Sequence, residues 1–127
     1  MKRIFAITLF TMITMPALAV GDFGNFTEEQ VCIAGIATNN GRPAKGMQVL
    51  GKKNGAISVA YVRNDGKPYT YRCDIQGTQI LWRDQSMNQW SKNIKLFFAV
   101  SSNGNQLNVR SEAFGESYSK SFTLADF

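Results

Sequence analysis

Ile57-Ser58-Val59-Ala60-Tyr61, Asn64-Asp65-Gly66 and Tyr69-Thr70-Tyr71-Arg72-Cys73-Asp74-Ile75-Gln76 follow one another along the chain, and their reading decides the fold. The period is two. Ile57, Val59 and Tyr61 share one face of a strand, with Ser58 and Ala60 on the other. Asn64-Asp65-Gly66 supplies the residues that tolerate a tight reversal, so the chain returns as a hairpin. On the returning strand Tyr69, Tyr71, Cys73 and Ile75 point one way, and Thr70, Arg72, Asp74 and Gln76 the other. Cys73 therefore belongs to the apolar, core-facing set.

Downstream the same rhythm continues. Gly77-Thr78 reads as a turn, Gln79 to Arg83 as a strand, and Ile94, Leu96, Phe98 and Val100 as the apolar positions of another. Asn103-Gly104 turns the chain again. Leu107 and Val109 alternate on the next strand, and Phe114-Gly115-Glu116 leads into a last one with Tyr118, Phe122 and Leu124 on its apolar side. The expectation is an antiparallel meander of about six strands.

Upstream the period changes to that of a helix. In Phe26-Thr27-Glu28-Glu29-Gln30-Val31, Thr27 and Gln30 form a capping box, Phe26 and Val31 are placed for a hydrophobic staple, and both glutamates suit the positive end of the helix dipole. The helix is expected to run to about Thr38 and to stop at Asn39-Asn40-Gly41. Cys32, Gly35 and Ile36 share one face, widened by Ile33 and Ala37. Laid across the sheet, that face brings Cys32 to Cys73. Closing a loop of about 42 residues this way contributes about 4 kcal/mol in the chain-entropy model. The two cysteines form no C-x-x-C motif, so a structural disulfide is expected rather than a redox pair. The fold class is thus α+β, one N-terminal helix on an antiparallel meander, closed by one disulfide.

The chain begins with Lys2 and Arg3, an apolar run from Ile4 to Met15, and Ala17-Leu18-Ala19. These are the three parts of a secretory signal peptide cut before Val20. The apolar run, as a helix, reaches only about 18 Å, short of the ~30 Å hydrocarbon core of a bilayer. A signal peptide at residues 1–19, a loose tail at 20–25 and a single domain at 26–127 follow, with a periplasmic or secreted location and no stable membrane insertion after cleavage. The disulfide agrees with that compartment.

Composition narrows function mainly by subtraction. The chain contains no histidine, the side chain most used for proton transfer near neutrality and for metal binding. Ser91-Lys92 are only neighbours in sequence, nothing selects Asp74 with Asp84 as a carboxylate pair, and no cluster has metal-ligand spacing. No catalytic residue, metal or cofactor is expected. The net charge of +5 includes Lys2 and Arg3, which leaves a mild positive balance and no case for nucleic acid.

Three groups of residues are candidates for binding. The polar segment from Asp84 to Asn93 carries Met87 and Trp90, residue types that anchor protein contacts, although an isolated Trp also serves to cover the edge of a core. Alternation puts Arg72 and Arg83 on the sheet face turned away from the helix, with Phe97 pointing away from Ile94, Leu96 and Phe98. Such a face suits carboxylates, phosphates or sugar rings. Arg42, Lys45, Lys52 and Lys53 lie in a connection from helix to sheet that has no acidic residue between Gln30 and Asn64, a basic loop suited to an anionic envelope ligand.

Cys32-Ile33-Ala34-Gly35-Ile36-Ala37, Val59-Ala60-Tyr61-Val62-Arg63-Asn64-Asp65-Gly66 and Tyr69-Thr70-Tyr71-Arg72-Cys73, continued by Ile80-Leu81-Trp82 and Ser121-Phe122-Thr123-Leu124, resemble a group of short exported bacterial proteins of uncharacterised function. The resemblance implies a shared scaffold and brings no activity, cofactor or site residue. The leading expectation from the residues is a non-enzymatic exported module that binds another envelope or secreted protein, as an inhibitor, an immunity-type factor or an envelope accessory factor. A binder of an anionic envelope ligand through the basic loop comes second, and a small secreted enzyme without histidine third.

Overall fold

The computed structural model describes residues 22–127. The expected signal peptide, and residues 20 and 21 of the expected tail, lie outside them. Among the described residues one α-helix, α1 (Glu28–Asn40), precedes seven strands: β1 (Gln48–Lys53), β2 (Ala56–Val62), β3 (Pro68–Gln76), β4 (Gln79–Asp84), β5 (Ile94–Val100), β6 (Leu107–Ala113) and β7 (Glu116–Phe122). A short 3-10 turn at Leu124–Asp126 follows. Every strand pairs antiparallel with its neighbour in sequence, in the order β1 to β7. The fold is α+β with one disulfide, and it has seven strands where the alternation gave about six.

The helix begins and ends where its residue types dictate. Gln30 N donates to Thr27 Oγ1 at 3.1 Å and Thr27 N donates to Gln30 Oε1 at 2.9 Å, which completes the capping box. Gly41 takes the left-handed conformation at φ 62°, and Arg42 N then reaches back to the Ala37 carbonyl at 3.0 Å. Burial is broader than the single stripe expected from the helical period. Every residue from Val31 to Thr38 is buried. The sheet curls around the helix, which touches β2 through β7. At the helix's start, Phe26 packs edge-on to Phe127, which meets Phe122. Buried Thr38 satisfies its hydroxyl by donating to the Ala34 carbonyl at 2.8 Å.

Cys32 and Cys73 are bonded, with Cα atoms 5.9 Å apart. In register, Cys73 stands between Ile57 of β2 and Trp82 of β4, so the bond ties α1 to the middle of the sheet. Beside it, Tyr71 donates to Asn40 Oδ1 at 3.0 Å and stacks on Tyr61.

Four expectations need correction. The segment Gln48–Lys53 is a strand, so Lys52 and Lys53 sit on a sheet edge and not in a loop. All six of its residues are exposed and Gly51 falls at a register shift, so no two-residue burial rhythm marks it. Residues 22–25 are docked rather than loose. Asn25 N donates to the Gly104 carbonyl at 3.0 Å, and the Phe23 and Phe98 rings lie 5.8 Å apart. Leu124 leaves the last strand for the 3-10 turn, and Tyr118, though in phase with buried Phe122, is 56% exposed.

Candidate functional site

The β4–β5 ladder is short. Only Gln79 with Phe97 and Ile80 with Leu96 are paired before the strands part. The Trp82 indole fills the opening by donating to the Ile94 carbonyl at 3.0 Å, and Ser91 N donates to the Trp82 carbonyl at 2.8 Å. The segment 85–93 spans this opening: Met87 packs against the core, while the Met87 carbonyl and Gln85 come beside Arg83 on the face turned away from α1. Thr70 pins its start: Gln85 N donates to the Thr70 carbonyl, while Thr70 N and Oγ1 both donate to Gln85 Oε1, at 2.9 and 2.8 Å.

Against this segment stand Arg72 and Arg83, directly opposite each other on β3 and β4. Like charges at facing positions destabilise a strand pair, so the arrangement needs a counterion or a purpose. The ion pairs among the described residues are Lys52–Glu28, Arg63–Asp65 and Arg110–Glu112, and neither Arg72 nor Arg83 is in one. Neutral groups meet them instead. Arg72 Nε donates to Ser58 Oγ at 3.5 Å and Arg83 Nη1 donates to the Met87 carbonyl at 3.4 Å. The nearby carboxylates are otherwise engaged. Asp84 Oδ1 accepts from Ser86 N and Oγ, and Asp74 Oδ2 accepts from Gln76 Nε2.

A hollow of about 300 Å³ opens over the pair, with Ser58, Thr70, Asp84 and Gln85 among its lining and apolar walls from Leu50 and Met87. Leu50 is 57% exposed. Trp90 is half-buried, and the Arg83 guanidinium carbon lies 5.7 Å from its ring centroid. Arg72, Arg83, Met87 and Trp90 are thus gathered on one surface: two half-buried cations with free guanidinium capacity, flanked by apolar and aromatic groups. This arrangement suits a carboxylate or phosphate with an apolar neighbour.

Phe97 stands apart from that surface. On β5 it faces Gln79 of β4 and Arg110 of β6, and the Arg110 guanidinium covers its ring at 4.8 Å. Leu50 and Ser58 are the residues the sequence reading missed. The Lys53-Asn54-Gly55-Ala56 hairpin signal would have located the strand that carries Leu50.

The basic segment divides. Lys52 pairs with Glu28 at 2.8 Å, and that hydrogen bond and charge raise the Lys52 pKa above its ordinary value. Lys53 is exposed on the β1 edge. Arg42 lies over the Tyr61 ring at 4.0 Å, and its carbonyl accepts from Lys120 Nζ at 3.3 Å. Arg42, Lys45 and Lys120 line a hollow of about 440 Å³ with Asp126. It lies at the carboxyl end of α1, where the helix dipole is negative and favours cations over a bound anion. These cations answer the helix end and join β2 to β7. No catalytic geometry emerges from Asp74 and Asp84, which face Leu81 and Tyr71 respectively. Among the described residues no group of three or more His, Cys, Asp or Glu side chains is placed to hold a metal, and no helix is long and apolar enough to cross a membrane. The disulfide points to an oxidising, non-cytoplasmic compartment. No family model, curated protein or solved structure matches the chain.

Proposed function

We propose that this chain is a non-enzymatic binding module, exported to the periplasm or beyond, that meets another envelope or secreted protein through the outer face of β3 and β4. The observation that carries this reading is the Arg72–Arg83 pair, two arginines at facing strand positions without a carboxylate partner among the described residues. An acidic side chain of the partner supplies the missing charge, and its apolar neighbour rests between Leu50 and Met87. Export rests on the basic, apolar and small-residue segments at residues 1–19 together with the disulfide. In this reading the module serves as an inhibitor, an immunity-type factor or an envelope accessory factor.

The test is an amide-resolved NMR titration with a capped peptide that alternates Glu and Leu, beside its Gln counterpart. Binding of the Glu peptide alone, with shifts at Ser58, Arg72, Arg83 and the Trp90 indole, is expected. It weakens as salt rises and by about tenfold or more in Arg72→Gln/Arg83→Gln. Equal response to both peptides, or shifts confined to other strands, overturns the assignment of the site.

A further inference from the structure

The two edges of the sheet are built differently. β1 has a bulge between Val49 and Gly51 and carries Lys52 and Lys53, devices that discourage another strand from pairing. β7 has no bulge, and its single lysine, Lys120, is matched on the same strand by the opposite charge of Glu116. Its seven residues keep unbroken register with β6, from Ala113 opposite Glu116 to Leu107 opposite Phe122. The hairpin closes on the Ala113–Glu116 pair, so Glu116, Tyr118, Lys120 and Phe122 direct their backbone groups to β6. Those of Ser117, Ser119 and Ser121 face outward.

We infer that β7 is a self-association edge, at which two copies of this chain pair antiparallel about a two-fold axis through Tyr118. The sequence Glu116-Ser117-Tyr118-Ser119-Lys120 is complementary to its own reversal. Pairing about Tyr118 sets Glu116 of one copy opposite Lys120 of the other, twice, and joins the outward backbone groups of Ser117 and Ser119. Neither Glu116 nor Lys120 is in an ion pair among the described residues, and Lys120 Nζ, which donates to the neutral Arg42 carbonyl at 3.3 Å, exchanges that contact for the carboxylate of the second copy. The arrangement is isologous and closes as a dimer, so it does not propagate into a fibre.

A separate observation agrees. Two tight turns have positive φ at both central residues: Asn54-Gly55 at 54° and 84°, and Phe114-Gly115 at 53° and 81°. Asn-Gly is what this turn type favours, whereas a bulky Phe in the left-handed region is strained. Burial does not account for the choice, because Phe114 is 84% exposed. In the two-fold register Phe114 comes level with Phe122 of the second copy. There the hollow bordered by Phe122, Ala125 and Lys120 is open to receive its ring.

Sedimentation equilibrium of the purified chain, from micromolar to millimolar concentration, tests the inference. A monomer–dimer equilibrium is expected. Glu116→Lys and Lys120→Glu, each bringing like charges together twice, raise the dissociation constant by about tenfold or more. The double exchange restores it, which a merely damaged fold does not do. Ser119→Pro removes an outward N–H from an edge strand that tolerates proline, and yields monomer with an unchanged circular dichroism spectrum. Phe114→Asn, suited to its turn, weakens the dimer. A monomer at every concentration, a dimer indifferent to Ser119→Pro, or a double exchange without rescue overturns the inference.

Discussion

At Gly35 the helix lies against the sheet with no room for a side chain. A Cβ there meets Ile80 Cδ1 at 2.9 Å and Ile80 Cγ2 at 3.2 Å, with Leu96 Cδ1 at 3.5 Å behind. Alanine favours a helix by about 1 kcal/mol over glycine, but the neighbours here are buried branched side chains without space to yield. Overpacking therefore wins, and Gly35→Ala destabilises the fold by about 1–3 kcal/mol, measured by urea denaturation. The binding surface follows a related logic of neighbours. Period-two alternation alone put Arg72 and Arg83 on the outer face, since side chains on a regular strand have only two directions. That they stand directly opposite, and unpaired, depends on the β3–β4 register. The short Gly77-containing turn between Gln76 and Gln79 sets that register.

At the scale of elements, α1 was legible from end to end because its signals are local: a capping box at Thr27 and Gln30, and a left-handed glycine at Gly41. β1 was hidden for the opposite reason. Exposed on both sides and bent at Gly51, it follows no core and keeps no burial rhythm. The disulfide joins the two kinds of element, and its effect belongs to this scale. Because it closes a loop of about 42 residues in the unfolded chain, Cys32→Ala/Cys73→Ala loses about 4 kcal/mol in the chain-entropy model. Chemical denaturation of this variant beside the oxidised chain measures the loss. The helix is expected to separate from β3 first, with hydrogen exchange rising in α1 before it rises in β5 and β6.

For the whole molecule, Tyr71 connects global stability to pH. It bonds to Asn40 at the end of the helix and packs among Tyr61, Tyr69 and Trp82 across β2, β3 and β4. Burial, and then the neighbouring Tyr61 hydroxyl, raise its pKa well above the ordinary 10.0. Below pH 10 the phenol is protonated in both the folded and the unfolded chain, and its contribution is complete. As pH climbs past the unfolded value, the unfolded chain releases the proton that the folded chain keeps, so stability falls. Tyr71→Phe is expected to cost about 1 kcal/mol at neutral pH through the lost hydrogen bond and to make the alkaline decline shallower. Unfolding midpoints across the pH range check both. The sequence by itself determined the fold class, the helix limits, six of the strands and the partner of each cysteine, because caps, turns and alternation act over a few residues. Only the tertiary structure decided how far the sheet curls, which buried α1 on all sides, set residues 22–25 against the turn at Gly104, and split the basic segment between Tyr61, Glu28 and the β1 edge. Those outcomes depend on sheet twist and on contacts between distant segments, which no local periodicity records.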